Sequence, residues 1–160
     1  FDLIDQHGTR RTEADFDQVP LAVFFGYANC QSICEVALPR LADAIDLAGE
    51  AGVDVQPVLI TIDPARDTPE ALARVLPDIH PRLIGLTGEK AQLAAARSAF
   101  QIEIKPVSTD ADGAPVYAHG SFIYLFAPGG KLASIMPPVL GAGRMAEIIT
   151  AHLGGKKPQL

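Results

Sequence analysis

"VFFGYANCQSICEVALPRLADAI", residues 23–45, is the stretch on which the reading of this chain turns. Its first residues belong to an apolar, aromatic run, "LAVFFGY" (21–27), of the kind that forms a buried central strand. Beyond the middle, Val36, Leu38, Leu41, Ala42, Ile45 and Leu47 recur at roughly helical spacing, with Gly49 as the expected stop. Between strand and helix lie both cysteines of the chain, Cys30 and Cys34, four positions apart. A helix starting around Gln31 to Ile33 puts Cys30 just before it and Cys34 in its first turn, where the two sulfurs can converge. The free N–H groups and positive dipole end of a helix amino terminus favour thiolate over thiol. Core filler, a disulfide, a redox pair and part of a metal site all remain open. A thiolate pair is a soft chelate suited to Cu(I), and one helical turn also brings the Cα atoms close enough for a disulfide.

Outward from that stretch the pattern alternates. "VDVQPVLITI" (53–62) reads as a second buried strand, and "DPARDTPEALARVL" opens a helix with Thr68 as cap and Pro69 at its first position. "PRLIGLTG" is a short strand and "EKAQLAAARSAF" an Ala-rich helix. "IEIKPVS" and "SFIYLFAP" are strands flanking a turn-prone "TDADGAP", and the second turns through Pro128-Gly129-Gly130 into "KLASIM". "RMAEIITAHL" is a closing amphipathic helix, and "FDLIDQHGTRRT" reads as a hairpin turning at His7-Gly8. This order predicts an α/β fold: a mixed central sheet flanked by helices, with an added amino-terminal β-hairpin. One domain is expected over residues 1–154, with a flexible tail at 155–160. Cys30 and Asp63 each follow a strand end, on the carboxyl edge where such sheets do their work.

Composition narrows the function. With 48% hydrophobic and 20% charged residues, the chain lies outside the disordered range. A net charge of −6 without any basic run excludes nucleic acid as a partner. At a mean hydropathy of +0.19, no apolar run is long enough to span a bilayer. The opening at Phe1, without Met or a signal-type segment, reads as a mature or trimmed soluble part, so any membrane tether belongs to a precursor.

Two thiolates alone leave a metal coordinatively poor. Of the four histidines, His7, His80 and His152 read as surface residues. His119, in "VYAHGSFIYLF", stands before a buried strand and is followed by Gly120; a ligand and a turn histidine fit equally well. Structural zinc is disfavoured, because three N/S ligands are evident where four are expected. Asp67 and Thr68 read as helix caps, and Asp63 as a carboxylate near the cysteines that tunes them without holding metal. "GAGRMA" (141–146) has no room for a βαβ unit, "GGK" (129–131) lacks the rest of a phosphate loop, and "DADG" lacks calcium-loop spacing.

Four segments in order carry a family resemblance: "FFGYANCQSIC", "ITIDPARDTPEAL", "LIGLTGEK" and "YAHGSFIYLFAPGGKL". Together they resemble the Sco/SenC family of copper-binding, thioredoxin-like proteins over nearly the whole chain. The resemblance implies a thioredoxin-like fold with an amino-terminal hairpin and an insertion between helix and strand. It implies copper, as Cu(I) or Cu(II), on Cys30, Cys34 and His119. The implied role is a metallochaperone, not an enzyme, delivering copper to the CuA site of cytochrome c oxidase subunit II or another copper-receiving protein. The implied location is the periplasm, cell envelope or mitochondrial intermembrane space. The rival role is thiol–disulfide exchange through the same Cys30 and Cys34. The family usually has Pro and Asp after the first cysteine, Pro after the second and Ser after the histidine; here Gln31, Ser32, Glu35 and Gly120 stand there. Fewer prolines should loosen the loop, and Glu35 should oppose thiolate formation.

Overall fold

In the computed structural model the described residues are 1–28 and 33–154, the side chains of Ile33 and Cys34 excepted. The amino-terminal hairpin is formed by β1 (Asp2–Asp5) and β2 (Arg10–Thr12). Its turn is organised by Asp5, whose Oδ1 accepts from the N–H groups of His7 (2.9 Å) and Thr9 (3.0 Å) and whose Oδ2 accepts from Arg11 (2.8 Å). Gly8, at φ 77°, supplies the left-handed position.

The apolar run becomes β3 (Leu21–Gly26), buried at every residue. Strand alternation sends Phe24 and Phe25 to opposite faces, and both are 0% exposed, so both faces of the sheet are covered. Helix α1 (Ile33–Glu50) follows, then β4 (Gln56–Thr61), α2 (Pro69–Ile79), β5 (Ile84–Thr87) and α3 (Lys90–Ala99). Next come β6 (Ile104–Thr109), β7 (Pro115–His119), β8 (Ile123–Ala127), β9 (Lys131–Met136) and α4 (Ala142–Leu153). Seven strands form one sheet in the order β2-β1-β5-β4-β3-β8-β9; β3, β4 and β5 run parallel, and the flanking pairings are antiparallel. The parallel strands end at Gly26, Thr61 and Thr87, and the Ile62 N–H extends the ladder by donating to the Gly26 carbonyl at 2.8 Å. Helix α1 packs along α4 and touches α2, while α3 lies over β1. On the face opened by Phe25, its ring meets Phe100 at 5.0 Å, which in turn packs edge-on against Tyr124 and Phe126.

Strand β6 overlaps the stretch read as a strand, whereas β7 departs from the sequence reading. Residues 115–119 form a strand of their own, paired with β6 in a separate two-stranded sheet. A five-residue run that opens on a proline gives little strand signal; pairing decides it. Helix α1 also continues through Gly49 to Glu50, and Gly52, at φ 84°, makes the turn instead. Val36 and Leu47, assigned to the apolar stripe, are 41% and 42% exposed. His80 is not a surface residue: it is 5% exposed, its Nδ1 accepts from the Arg82 N–H, and its Nε2 meets Asp46 Oδ1 at 3.1 Å. A histidine beside proline after a helix carries no burial signal; here it ties the end of α2 to α1.

Gly85 tests the packing of α2 on the sheet. A Cβ built there would lie within 3.2 Å of Leu72 Cδ1 and closer still to Leu76 Cδ1, and both leucines are fully buried. Gly85→Ala therefore overpacks the core and is expected to cost about 1–3 kcal/mol. Thermal unfolding should show this as a midpoint lowered by about 2–4 °C per kcal/mol; an unchanged midpoint would mean that α2 shifts freely over β5.

Candidate metal centre

The candidate site is built where β3 leads into α1. Cys30 lies outside the described residues, as do Gln31 and Ser32. Cys34 stands in the first turn of α1, at the helix end the sequence reading assigns it to. Glu35 follows it and is exposed.

The neighbouring connection, from β4 to α2, is described in full. Asp63 is 4% exposed; its N–H donates to Thr61 Oγ1 at 3.0 Å, and its Oδ2 accepts from Arg66 Nε at 2.5 Å. Arg66 spends its remaining donors elsewhere. Its Nη1 donates to Asp110 Oδ2 (2.7 Å), its Nη2 donates to the Pro115 carbonyl (3.1 Å), and the guanidinium carbon lies 5.5 Å from the centre of the Tyr27 ring. Asp110 is held ready by the turn it organises, its Oδ1 accepting from the N–H groups of Asp112 and Ala114. These bonds keep the Asp110 carboxyl below its ordinary range, the Ala114 N–H contributing most.

Asp67 corrects a sequence expectation. Thr68 alone caps α2, its hydroxyl accepting from the Ala71 N–H at 3.2 Å behind Pro69 at the helix start. Asp67 turns inward to 1% exposure, and its Oδ2 accepts from the Ala28 N–H (3.0 Å) and from the Thr61 hydroxyl (2.7 Å). Its Oδ1 is buried with no hydrogen-bond partner among the described residues. Burial pushes the carboxyl above its ordinary value; the bonds from Thr61 and Ala28 oppose the shift without cancelling it. The carboxylate thus fixes the backbone two residues before Cys30.

His119 ends β7, opposite Ile104 on β6, and does not merely precede the buried strand β8. Its ring is half-buried and lies 6.3 Å, edge-on, from Tyr27, whose other edge contact is Tyr117, also at 6.3 Å. His119 Nδ1 lies 3.0 Å from the Gly120 carbonyl oxygen. A carbonyl can only accept, so Nδ1 carries a proton, and in the neutral ring the lone pair is then on Nε2. That is the tautomer of a metal-ligating imidazole whose other nitrogen is held by a backbone carbonyl. A Cβ at Gly120 would stand 3.3 Å from Ile102 Cδ1, so the glycine lets this turn close on a buried isoleucine. His7 and His152 are exposed, as expected. Among the described residues no three His, Cys, Asp or Glu side chains gather as a ready metal site.

The structure therefore brings Tyr27, Asp63 and His119 into one neighbourhood: Arg66 bonds Asp63 and covers Tyr27, and Tyr27 meets His119. Sequence reasoning missed Arg66 and misassigned Asp67. The available signal was redundancy: two capping residues, Asp67 and Thr68, stand before one helix, and one of them is free for another task.

Fold and site together define a thioredoxin-like α/β protein whose first strand-to-helix connection bears its cysteines. Within that class the chain belongs to the SCO1/SenC family, whose model matches residues 1–154. It is 35% identical to the human protein SCO2 homolog, mitochondrial, over 96% of this chain and 58% of that protein. It is 32% identical to Protein sco1 of Schizosaccharomyces pombe, over 99% of this chain and 62% of that one. Among solved structures, copper-bound ScoI of Arabidopsis thaliana superposes with a TM-score of 0.88 at 29% identity, covering 95% of this chain and 94% of that one. Copper-bound yeast Sco1 gives 0.88 at 29% identity, with 99% and 88% covered. The chain spans about six-tenths of the length of the curated relatives it matches.

Asp67 generates a pH prediction. Its carboxyl lies above the ordinary value of 3.8 in the folded state, so its contribution to stability is full below that value and is lost as pH rises through the folded value. In Asp67→Asn the amide oxygen still accepts from Ala28 and Thr61 and no charge is buried. Denaturant titrations should show a flatter stability profile above the ordinary carboxylate range, with the variant gaining on wild type as pH rises. Asp67→Ala leaves both donors unpaired and should lose about 1–3 kcal/mol at every pH. A variant profile parallel to wild type would refute the assignment.

Proposed function

We propose that this protein binds copper through Cys30, Cys34 and His119 and delivers it to the CuA site of cytochrome c oxidase, with subunit II as the receiving chain. The observation that carries the reading is the His119 tautomer, with Nδ1–H given to the Gly120 carbonyl and, in the neutral ring, the lone pair on Nε2. Copper-bound relatives of the same fold support it. Two thiolates and one imidazole suit Cu(I) in a trigonal arrangement; Cu(II) would recruit a fourth oxygen or nitrogen donor. Copper here is cargo. Cys34 at the amino end of α1 gains from the helix dipole, which favours the thiolate a metal requires. Delivery proceeds by ligand exchange, which a site on a sheet edge allows, and the protein acts as a binding and transfer protein, not as a turnover enzyme. Its place is the periplasm, cell envelope or mitochondrial intermembrane space, tethered to the membrane through a segment other than the helices described here, none of which is long and apolar enough to cross a bilayer.

One observation favours a second reading. A cysteine in the first turn of a helix, with another four positions earlier, is placed for thiol–disulfide exchange, and the pair could reduce an oxidised partner. Anaerobic competition of the reduced protein against a Cu(I) chelator separates the two. Wild type should bind tightly, and His119→Ala should weaken binding by about 100-fold or more, at the upper limit of what loss of an outer partner does. Weak binding, or binding indifferent to His119, would sink the copper reading and leave thiol exchange as the better account.

A further inference from the structure

We infer that Arg66 is the positioning residue for His119: its guanidinium clamps the β6–β7 hairpin to the β4–α2 connection and so fixes where the imidazole stands. The inference rests on the function proposed above. His119 is the last residue of β7, and among the described residues β7 pairs with β6 alone, outside the seven-stranded sheet. Strand β6 is exposed from Lys105 to Thr109, so the hairpin has little core of its own. Ile104 and Tyr117 pack against the main core, and Arg66 adds two directional contacts that fix the hairpin's position. It donates to the Asp110 carboxylate before β7 and to the carbonyl of Pro115, the first residue of β7. Its third bond, to Asp63, fixes the guanidinium to the end of β4. The same group lies over the Tyr27 ring, which makes tilted, edge-type contacts with both Tyr117 and His119.

The chemistry of the clamp requires arginine. Three acceptors in three directions, two of them carboxylates, are met by a planar fork of donors and not by an ammonium point charge. The side chain is three-quarters buried, which strengthens these charge-assisted bonds over exposed ones. Burial lowers the tendency of Arg66 to hold its charge, and the bonds from Asp63 and Asp110 more than restore it.

The test uses a double-mutant cycle on the whole chain with Arg66→Ala, Arg66→Lys, His119→Ala and Arg66→Ala/His119→Ala. Cu(I) affinity is read by chelator competition and amide hydrogen exchange is read without metal. Arg66→Ala should speed exchange across residues 104–119 while β3 and β4 keep their protection, and it should weaken Cu(I) binding by about 10- to 100-fold. Arg66→Lys should recover only part of that affinity. In the His119→Ala background, Arg66→Ala should add no further loss, because the ligand it positions is gone. An equal loss in both backgrounds, or wild-type affinity in Arg66→Ala, overturns the inference. Should His119→Ala itself bind Cu(I) like wild type, the copper reading fails; the clamp is then judged by exchange alone, where unchanged protection of the hairpin refutes it and selective loss upholds it.

Discussion

One guanidinium joins the two sheets of this protein. Arg66 sits in the short connection between β4 and α2, yet it reaches a carboxylate on its own loop, a carboxylate in the β6–β7 turn and a carbonyl at the start of β7. The energetic weight of such a cluster lies less in the net gain of each bond than in the cost of leaving buried acceptors unmet. Asp63 is the most exposed to that cost, being 4% accessible with Arg66 as its side-chain partner. The arrangement of the edge therefore follows from the arginine.

Directly after it, Asp67 turns inward to the segment that follows β3. It holds the Ala28 N–H, so the last described residue before the cysteine connection is pinned to the same loop that clamps the hairpin. Five consecutive residues, 63–67, thus serve both halves of the candidate site. The buried and incompletely satisfied carboxylate costs stability at neutral pH, and functional sites are where such costs concentrate. An apolar residue there would pack more cheaply but could not hold a backbone N–H two positions from Cys30.

The main sheet was legible because its strands are apolar or alternating and its helices carry their own signals: Thr68 and Pro69 start α2, and the run 21–27 is buried throughout. The positions of Cys34, at a helix start, and of Asp63, just past a strand end, followed from the same patterns. What stayed hidden was what tertiary contact alone decides. Strand β7 exists because β6 pairs with it; β6 was legible as a strand, but its pairing with β7 in a separate sheet was not. The burial of His80 depends on Asp46 in another helix, thirty-four residues away. Arg66 looked like one more charge in a polar loop, since its partners Asp110 and Pro115 lie 44 and 49 positions further on. Local sequence speaks for local structure, and these contacts are distant ones.

The separation of the two sheets bears on how a transfer protein can let go. Under the proposed function, Cys34 belongs to α1, which is packed along α4 in the main core, whereas the imidazole belongs to a hairpin with an exposed strand. Releasing His119 would disturb Tyr27 and the bonds of Arg66 but would open none of the pairings of the seven-stranded sheet. A ligand set divided in this way can lose one donor to an incoming ligand while the other two stay in place. A site built entirely within one rigid element would have to deform its core for the same exchange, and close-packed interiors resist that strongly. On the proposed ligand set, the hairpin would supply the compliant part of the centre, and the Arg66 bonds would set how compliant it is.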